Sequence, residues 1–372
     1  MKKIPILDLK KQVSAIRKEI DQALKKVIDE ADFVFGPRIE DFEQDISRYC
    51  RVEHAVSVSN GSDAIRLALL ASGIKRGDRV ICPSFTFYAT AGMIASIGAI
   101  PVFVDIDPLT YNISPQRISE IMRSRKKDKI KAIVPVHLYG QCAEMDEILK
   151  IAKKFNLKVI EDAAQAFGAE YKEKKAGTMG DCGALSFFPG KNLGAFGDAG
   201  MVLTRNTNFA KKLKTLRNQG QTDKYHHSMI GFNNRLDVIQ AVVLKIKLKY
   251  YDSWNKKRLQ NAHYFNKHLK SLPVKLPCAP AYNKHIYHQY VLRLSSPSSK
   301  LIEHLRGKGI DARIYYPLPL HLQKCFKYLG YKKGDFPESE RAAKETLAIP
   351  VYSDLSKTEL EYIVNSIREY FK

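Results

Sequence analysis

Between Ala55 and about Thr204 the chain alternates short apolar, β-branched runs with longer stretches of helical periodicity. The apolar runs are Ala55–Val58, Arg79–Cys82, Ile100–Val104, Ala132–Val136 and Leu157–Ile160. Between them lie amphipathic segments such as Asp63–Ser72, Thr86–Ile97 and Glu144–Phe155. Near-continuous apolar strands separated by helices predict an α/β fold, a mostly parallel sheet with helices on both faces. Ligands of such sheets collect beyond the carboxyl ends of the strands. Asn60–Asp63, Pro83–Phe87, Asp105–Asp107, Val136–Tyr139 and Asp162–Gln165 all fall at those ends.

Beyond Asp237 the pattern changes. A lysine-rich helical stretch, Val238–Lys270, stops at Ser271-Leu272-Pro273. His288–Leu294 then reads as a strand and Lys300–Lys308 as a helix, the beginnings of a smaller α+β domain. The expected division is 1–245, a large domain carrying an N-terminal arm, and 246–372, a small C-terminal one. A chain of 372 residues suffices for one large core and a second domain.

An apolar content of 45% with 27% charged residues describes a soluble globular protein. No apolar run reaches the roughly 18–20 residues of a membrane helix. Asp8 interrupts the N-terminus where a signal peptide would stay apolar, so a cytoplasmic protein without membrane contact is expected. Six cysteines are scattered without CxxC spacing, which suggests buried free thiols and no metal site. The net charge of +22 invites a nucleic-acid reading. Much of it, however, sits in interrupted clusters such as 123–129, the composition of solvated helix ends. No groove-reading motif accompanies them, so nucleic acid is not the expected partner. The charge is equally suited to steering a polyanionic small substrate.

The chemistry concentrates at three places. Lys191 stands on a glycine-flanked turn, Gly190 to Gly194, directly after an apolar strand. Asp162 closes another apolar strand, where a carboxylate is costly unless paired. Asn60-Gly61-Ser62-Asp63 follows a strand and opens a helix, a place where backbone amides bind anions, although Ser62 or Asp63 as a plain helix cap is the alternative. An amine to join an aldehyde, an acid for a protonated ring nitrogen and a phosphate loop are what pyridoxal 5'-phosphate (PLP) requires. Gln165, one helical turn beyond Asp162, is placed to bond the ring hydroxyl.

These residues resemble the DegT/StrS sugar aminotransferase family of fold-type I PLP enzymes. The likeness also runs through Ile6–Leu9, Pro83–Thr90, Pro101–Asp107, Val136–Gly140, Glu161–Gln165, Ser186–Gly194, Gly231–Asp237 and Tyr316–His321. It implies a mostly parallel seven-stranded sheet between helices and a homodimer whose active sites use both chains. It also implies that Phe87 stacks on the cofactor, and that Gly61, Ser62, Asp63 and Ser186 hold its phosphate with Asn233 of the partner subunit. Some relatives carry histidine in place of the lysine and dehydrate; Lys191 points to transamination.

The resemblance further implies a keto nucleotide-sugar as acceptor and L-glutamate as donor, for cell-surface polysaccharide or lipopolysaccharide. Arg217–Gly220, Tyr225–His227 and Gly231–Asp237 look most like enzymes of UDP-linked 3-keto-2-acetamido sugars. Ile314-Tyr315-Tyr316-Pro317 departs from the glucuronate enzymes, which carry histidine before the tyrosine, so neutral 3-keto and 4-keto sugars stay open. Arg235, Tyr316, His321, His227, His288 and His226 are the substrate-pocket candidates. The alternatives are a dTDP-3-keto- or 4-keto-6-deoxyhexose acceptor and a DegT-like DNA-binding regulator.

Overall fold

The computed structural model describes residues 3–124 and 128–372; residues 125–127 of the basic run noted above lie outside them. A seven-stranded sheet runs, edge to edge, His54–Val58, Gly200–Thr204, Cys182–Ser186, Lys158–Asp162, Ile130–Ile133, Arg79–Pro83, Ile100–Val104. Gly200–Thr204 is antiparallel to both neighbours, and the remaining contacts are parallel. Successive side chains go to opposite faces. Ile81 and Val159 therefore join one core with Phe42, Leu185 and Tyr251, while Val80 and Ile160 join another with Leu67 and Val202. Both faces are covered, which is why the strands read as unbroken apolar runs.

Four details differ from the expected pattern. The run Ala132–Val136 yields a strand at Ile130–Ile133, and only an isolated bridge joins Val136 to Asp162. Pro135 has no N–H for a ladder, and its carbonyl instead accepts from the Asp162 amide. The helix expected from Asp63 begins at Gly61, because Asn60 rather than Ser62 or Asp63 is its N-cap. Three helices, Leu9–Ala15, Arg17–Glu30 and Pro37–Cys50, precede the first strand and were not assigned from the pattern. Of the cysteines, Cys50, Cys82, Cys142 and Cys182 are buried, but Cys278 is half-buried and Cys325 exposed.

A 32-residue helix, Val238–Leu269, leaves the large core and enters a second one. Its first half contributes Val238, Ala241 and Leu244 to the sheet's core. Its last turns contribute Ala262, Phe265 and Leu269 to a cluster with Tyr290, Leu292, Leu347 and Ile363. There Tyr290–Arg293 pairs antiparallel with Thr346–Ile349, beside helices Ser299–Gly307 and Lys357–Tyr370. Ile4 of the N-terminal arm pairs with Ile310 and packs in this same cluster. We propose the division into 1–245 and 246–372 on these separate cores, with its boundary inside the long helix.

Candidate active site

Lys191 lies on the turn after Cys182–Ser186, its amide donating to the Phe188 carbonyl at 2.8 Å. A Cβ on Gly194 would stand 2.3 Å from the Pro189 carbonyl, so only glycine lets this turn close. The long helix grips the turn from below. Gln240 accepts from the Phe196 amide at 2.8 Å, and the buried Lys247 ammonium donates to the Gly194 carbonyl at 2.6 Å. Burial pushes the Lys191 amine down to about 8, opposed by Asp162.

Asp162 ends the neighbouring parallel strand and is buried. Thr90 donates to its Oδ2 at 2.7 Å and the Ala164 amide to Oδ1 at 3.2 Å. Burial raises its pKa, against those two donors and the Lys191 charge. Lys191 and Asp162 feel each other electrostatically yet form no direct ion pair. The space between an amine and an acid suits a flat cationic heterocycle, and the exposed Phe87 caps the helix whose Thr90 holds that acid.

At the phosphate loop, a Cβ on Gly61 would stand 2.6 Å from Ser186 Cβ, so the helix start and the strand end meet at contact distance. Asn60 caps the Asp63 amide at 2.8 Å, leaving those of Gly61 and Ser62 in the first turn as anion donors. The Ser186 hydroxyl adjoins them and, among the described residues, accepts only from the Phe188 amide, at 3.3 Å. Asp63 differs from its expected role. Its carboxylate is already taken by Ser59, Asn60, Asn234 and Arg66, and we assign it to holding the loop together. Pyridoxal phosphate thus fits the residues present: Lys191 for the aldehyde, Asp162 for the ring nitrogen, Gly61, Ser62 and Ser186 for the phosphate.

The other candidates separate into groups. Gln165 accepts from the Tyr139 amide at 2.8 Å and donates to the Tyr316 hydroxyl, which brings Tyr316 to the site. The Phe87 and Tyr316 rings are 6.5 Å apart. His288 is buried, donates to Asn192 Oδ1 at 3.0 Å and lies within electrostatic reach of Lys191; burial and the lysine charge hold it well below its usual pKa. His321 is instead bonded to Glu340 at 3.1 Å and packed on Phe336, a structural placement. His226 and His227 sit on an exposed two-stranded hairpin, with His227 bonded to the Gln219 carbonyl at 2.9 Å. Arg235 lies over the Phe35 ring at 5.6 Å. Asn234 faces the Asp63 loop of its own chain, and Asn233, one residue back along extended backbone, is exposed on the opposite side.

Two contributors were not foreseen. Thr90 closes the Pro83–Thr90 motif, yet a threonine in a helix's first turn carries no signal of its role. Glu161, on the face of its strand opposite Asp162, takes His137 at 2.8 Å together with the amides of Gly177, Met179 and Gly180. A separate cavity of about 610 Å³ lies beside the edge strand, lined by Phe103, Asp105 and Tyr331 among others, and holds none of the site residues. Among the described residues no cluster of three metal-ligating side chains occurs, and no helix is long and apolar enough to cross a membrane.

A lysine turn and an acid at adjoining strand ends of a doubly covered sheet, beside a helix-capped anion loop, define a fold-type I PLP-dependent aminotransferase. Residues 14–368 match the model of the DegT/DnrJ/EryC1/StrS aminotransferase family, and the chain belongs to that family. It is 43% identical to a pleiotropic regulatory protein of Geobacillus stearothermophilus, over 99% of each chain. It is 39% identical to the UDP-N-acetyl-3-dehydro-alpha-D-glucosamine 3-aminotransferase of Acidithiobacillus ferrooxidans, over 98% of this chain and 97% of that one. Identity to the dTDP-3-amino-3,6-dideoxy-alpha-D-galactopyranose transaminase of Aneurinibacillus thermoaerophilus is 40%, over 99% of each. The crystal structure of S. venezuelae DesV superposes with a TM-score of 0.96 at 36% identity, covering 100% of this chain and 99% of that one. NtdA of Bacillus subtilis, solved with its cofactor PMP bound, matches at TM-score 0.91 and 31% identity, over 100% and 86%.

Proposed function

We propose that this aminotransferase moves the amino group of L-glutamate to a keto nucleotide-sugar, with a UDP-linked 3-keto-2-acetamido sugar as acceptor. The observation that carries the chemistry is Lys191 held opposite the buried Asp162 without an ion pair between them. When bound, pyridoxal phosphate supplies an aldehyde to carry the amino group and a protonated ring to draw off electrons. Thr90 and the Ala164 amide keep the Asp162 carboxylate aimed at that ring nitrogen. With a pKa of about 8, roughly a tenth of the Lys191 amine is uncharged at neutral pH, ready to take a proton from carbon and return it. The paired Gln165 and Tyr316 close the wall beside Phe87.

The UDP assignment is supported by the relative from Acidithiobacillus ferrooxidans and by the segments around Arg217–Gly220 and Gly231–Asp237. A dTDP-linked 3-keto or 4-keto 6-deoxyhexose is the rival, given the similar identity to a dTDP-sugar transaminase. We place the protein in the cytoplasm, in the assembly of cell-surface polysaccharide or lipopolysaccharide. A homodimer with shared sites is supported by the exposed Phe188 and Phe196 on the lysine turn, Phe33 and Val34 beside the long helix's start, and the outward-facing Asn233. The test is to convert the cofactor to its amine form and offer UDP- and dTDP-linked keto sugars in turn. Reversion of the spectrum with the UDP-linked 3-keto-2-acetamido sugar is the expected result; reversion with a dTDP-linked sugar alone would reassign the acceptor.

A regulatory role is the second reading, favoured by the Geobacillus relative and the net charge of +22. DNA affinity with a steep salt dependence and sequence preference would support it; affinity lost at modest salt on any sequence would mean charge alone.

A further inference from the structure

Arg258, on the helix Val238–Leu269, is only 7% exposed. Its one hydrogen bond among the described residues is Nη1 to the Tyr287 carbonyl at 3.4 Å, and it has no ion-pair partner there. A guanidinium has five N–H donors, so four are left without a protein acceptor. None of its nitrogens is both sealed from solvent and without a partner, so the unbonded edge of the fork is open to an incoming anion, which would offset the cost of the largely buried charge.

Its position indicates what that anion is. Asn255, three residues earlier and so on the same helical face, accepts from Asn192 Nδ2 at 3.1 Å, and Asn192 directly follows Lys191. Asn192 Oδ1 in turn takes the His288 ring, and His288 lies within electrostatic reach of both Lys191 and Arg258. On the other side Arg258 influences Tyr315, the neighbour of the Tyr316 that bonds Gln165. Arg258 is thus tied to the surroundings of the amine through Asn255, which holds Asn192, and through the Tyr287 carbonyl, which adjoins His288. Asp354, the acid that bears on it electrostatically, accepts from Ser353 and forms no ion pair with it.

We infer that Arg258 is the seat of a carboxylate of the amino donor. This rests on the amino-acid donor proposed above. In an α-amino acid the carboxylate is two bonds from the nitrogen being transferred, so its counter-charge must lie close to Lys191. A nucleotide-sugar carries its diphosphate at the opposite end from its ketone. The planar fork takes a carboxylate by two parallel hydrogen bonds, and the site empties when the keto acid leaves.

The test uses the holoenzyme, with glutarate as a non-reacting dicarboxylate and uridine diphosphate as the control anion, both measured by equilibrium titration. Arg258→Met is expected to weaken glutarate by about 10- to 100-fold, the range of a charged hydrogen bond, and to leave uridine diphosphate unchanged. Arg258→Lys keeps the charge without the fork and is expected to fall between. If Arg258→Met does not fold with its cofactor spectrum intact, Arg258→Lys alone decides. Single-turnover reaction with glutamate should show the same loss in its half-saturating concentration, while reaction of the amine form with the keto sugar stays as in wild type. Unchanged glutarate binding, equal loss of both ligands, or loss of uridine diphosphate alone would overturn the assignment. A wild type that takes the glutamate amine while its variants do so equally well sinks Arg258 only. A wild type that neither binds glutarate nor takes that amine sinks the donor reading and this inference with it.

Discussion

His137 donates its Nε2–H to Glu161 across 2.8 Å at a depth where neither side chain meets solvent. The tautomer follows from the other nitrogen, since the Ala143 amide donates to Nδ1 at 3.1 Å and leaves Nε2 to carry the proton. The His137 backbone amide meanwhile donates to the Asp162 carbonyl, so this pair backs the strand end that bears the acid. Replacing Glu161 by Gln removes a charge that serves His137 and three loop amides. A hydrogen bond to a charged group is worth about 1.5–3 kcal/mol, and the glutamine's amide nitrogen cannot accept the bonds that one carboxylate oxygen took. Glu161→Gln should therefore lower the denaturant midpoint by that equivalent and loosen cofactor binding; an unchanged midpoint would contradict the placement.

Lys191→Ala should abolish the absorbance band near the visible edge that marks the lysine-bound cofactor. Turnover should drop by about 10²–10⁴-fold or more, the contribution of a positioned acid–base group. A purified wild type that is colourless and free of cofactor would be the contrary result.

Asp162→Asn keeps shape but not charge. A hydrogen bond to a charged group is worth about 1.5–3 kcal/mol, so cofactor retention should weaken by roughly 10- to 100-fold. Dialysis followed by fluorescence titration of cofactor into the apoprotein reads this directly.

Gly61→Ala places a methyl where Ser186 Cβ already stands, 2.6 Å away. Overpacking costs about 1–3 kcal/mol, and the displaced serine is one of those we assign to the phosphate. Both the melting temperature and the affinity for inorganic phosphate should fall, with Gly61→Ser no better.

Lys247 supplies a pH signature in the apoprotein. Its ammonium is buried against the Gly194 carbonyl and the Phe196 ring, and burial lowers it from 10.5 to about 8. The folded state therefore sheds this proton before the unfolded chain does, and stability from this group rises as pH climbs from 8 towards 10.5. Comparing melting temperatures of wild type and Lys247→Met, the difference should move in favour of wild type between pH 8 and 10. A difference flat with pH would refute the burial.

The strand-end chemistry was legible because each element ends abruptly: an apolar run, then Asn60-Gly61, Glu161-Asp162 or a glycine-flanked lysine. What the pattern hides is which polar group faces which. Asp63 reads as a phosphate ligand until Asn234, 171 residues away, is seen to occupy it. His321 lies in a motif beside Tyr316 yet turns to Glu340, because its neighbour Leu320 is pinned to the Ser84 carbonyl. Helix Arg17–Glu30 went unassigned because Ile20 and Val27 are its only buried positions among many charges. Arg258 likewise reads as one more cation in a lysine-rich helix, and only burial separates it from the rest.

That helix, 32 residues and so about 48 Å of continuous coil, enters the turn around Lys191 near its beginning and the C-terminal core near its end. Gln240 and Lys247 hold the turn and Asn255 holds Asn192, so the Lys191 amine is bolted to a beam rather than hung from a loop. A tilt of the C-terminal core would swing the Lys191 nitrogen with it. Rearrangement on substrate arrival is then expected in the strands and connections after Leu269, with the lever itself staying straight.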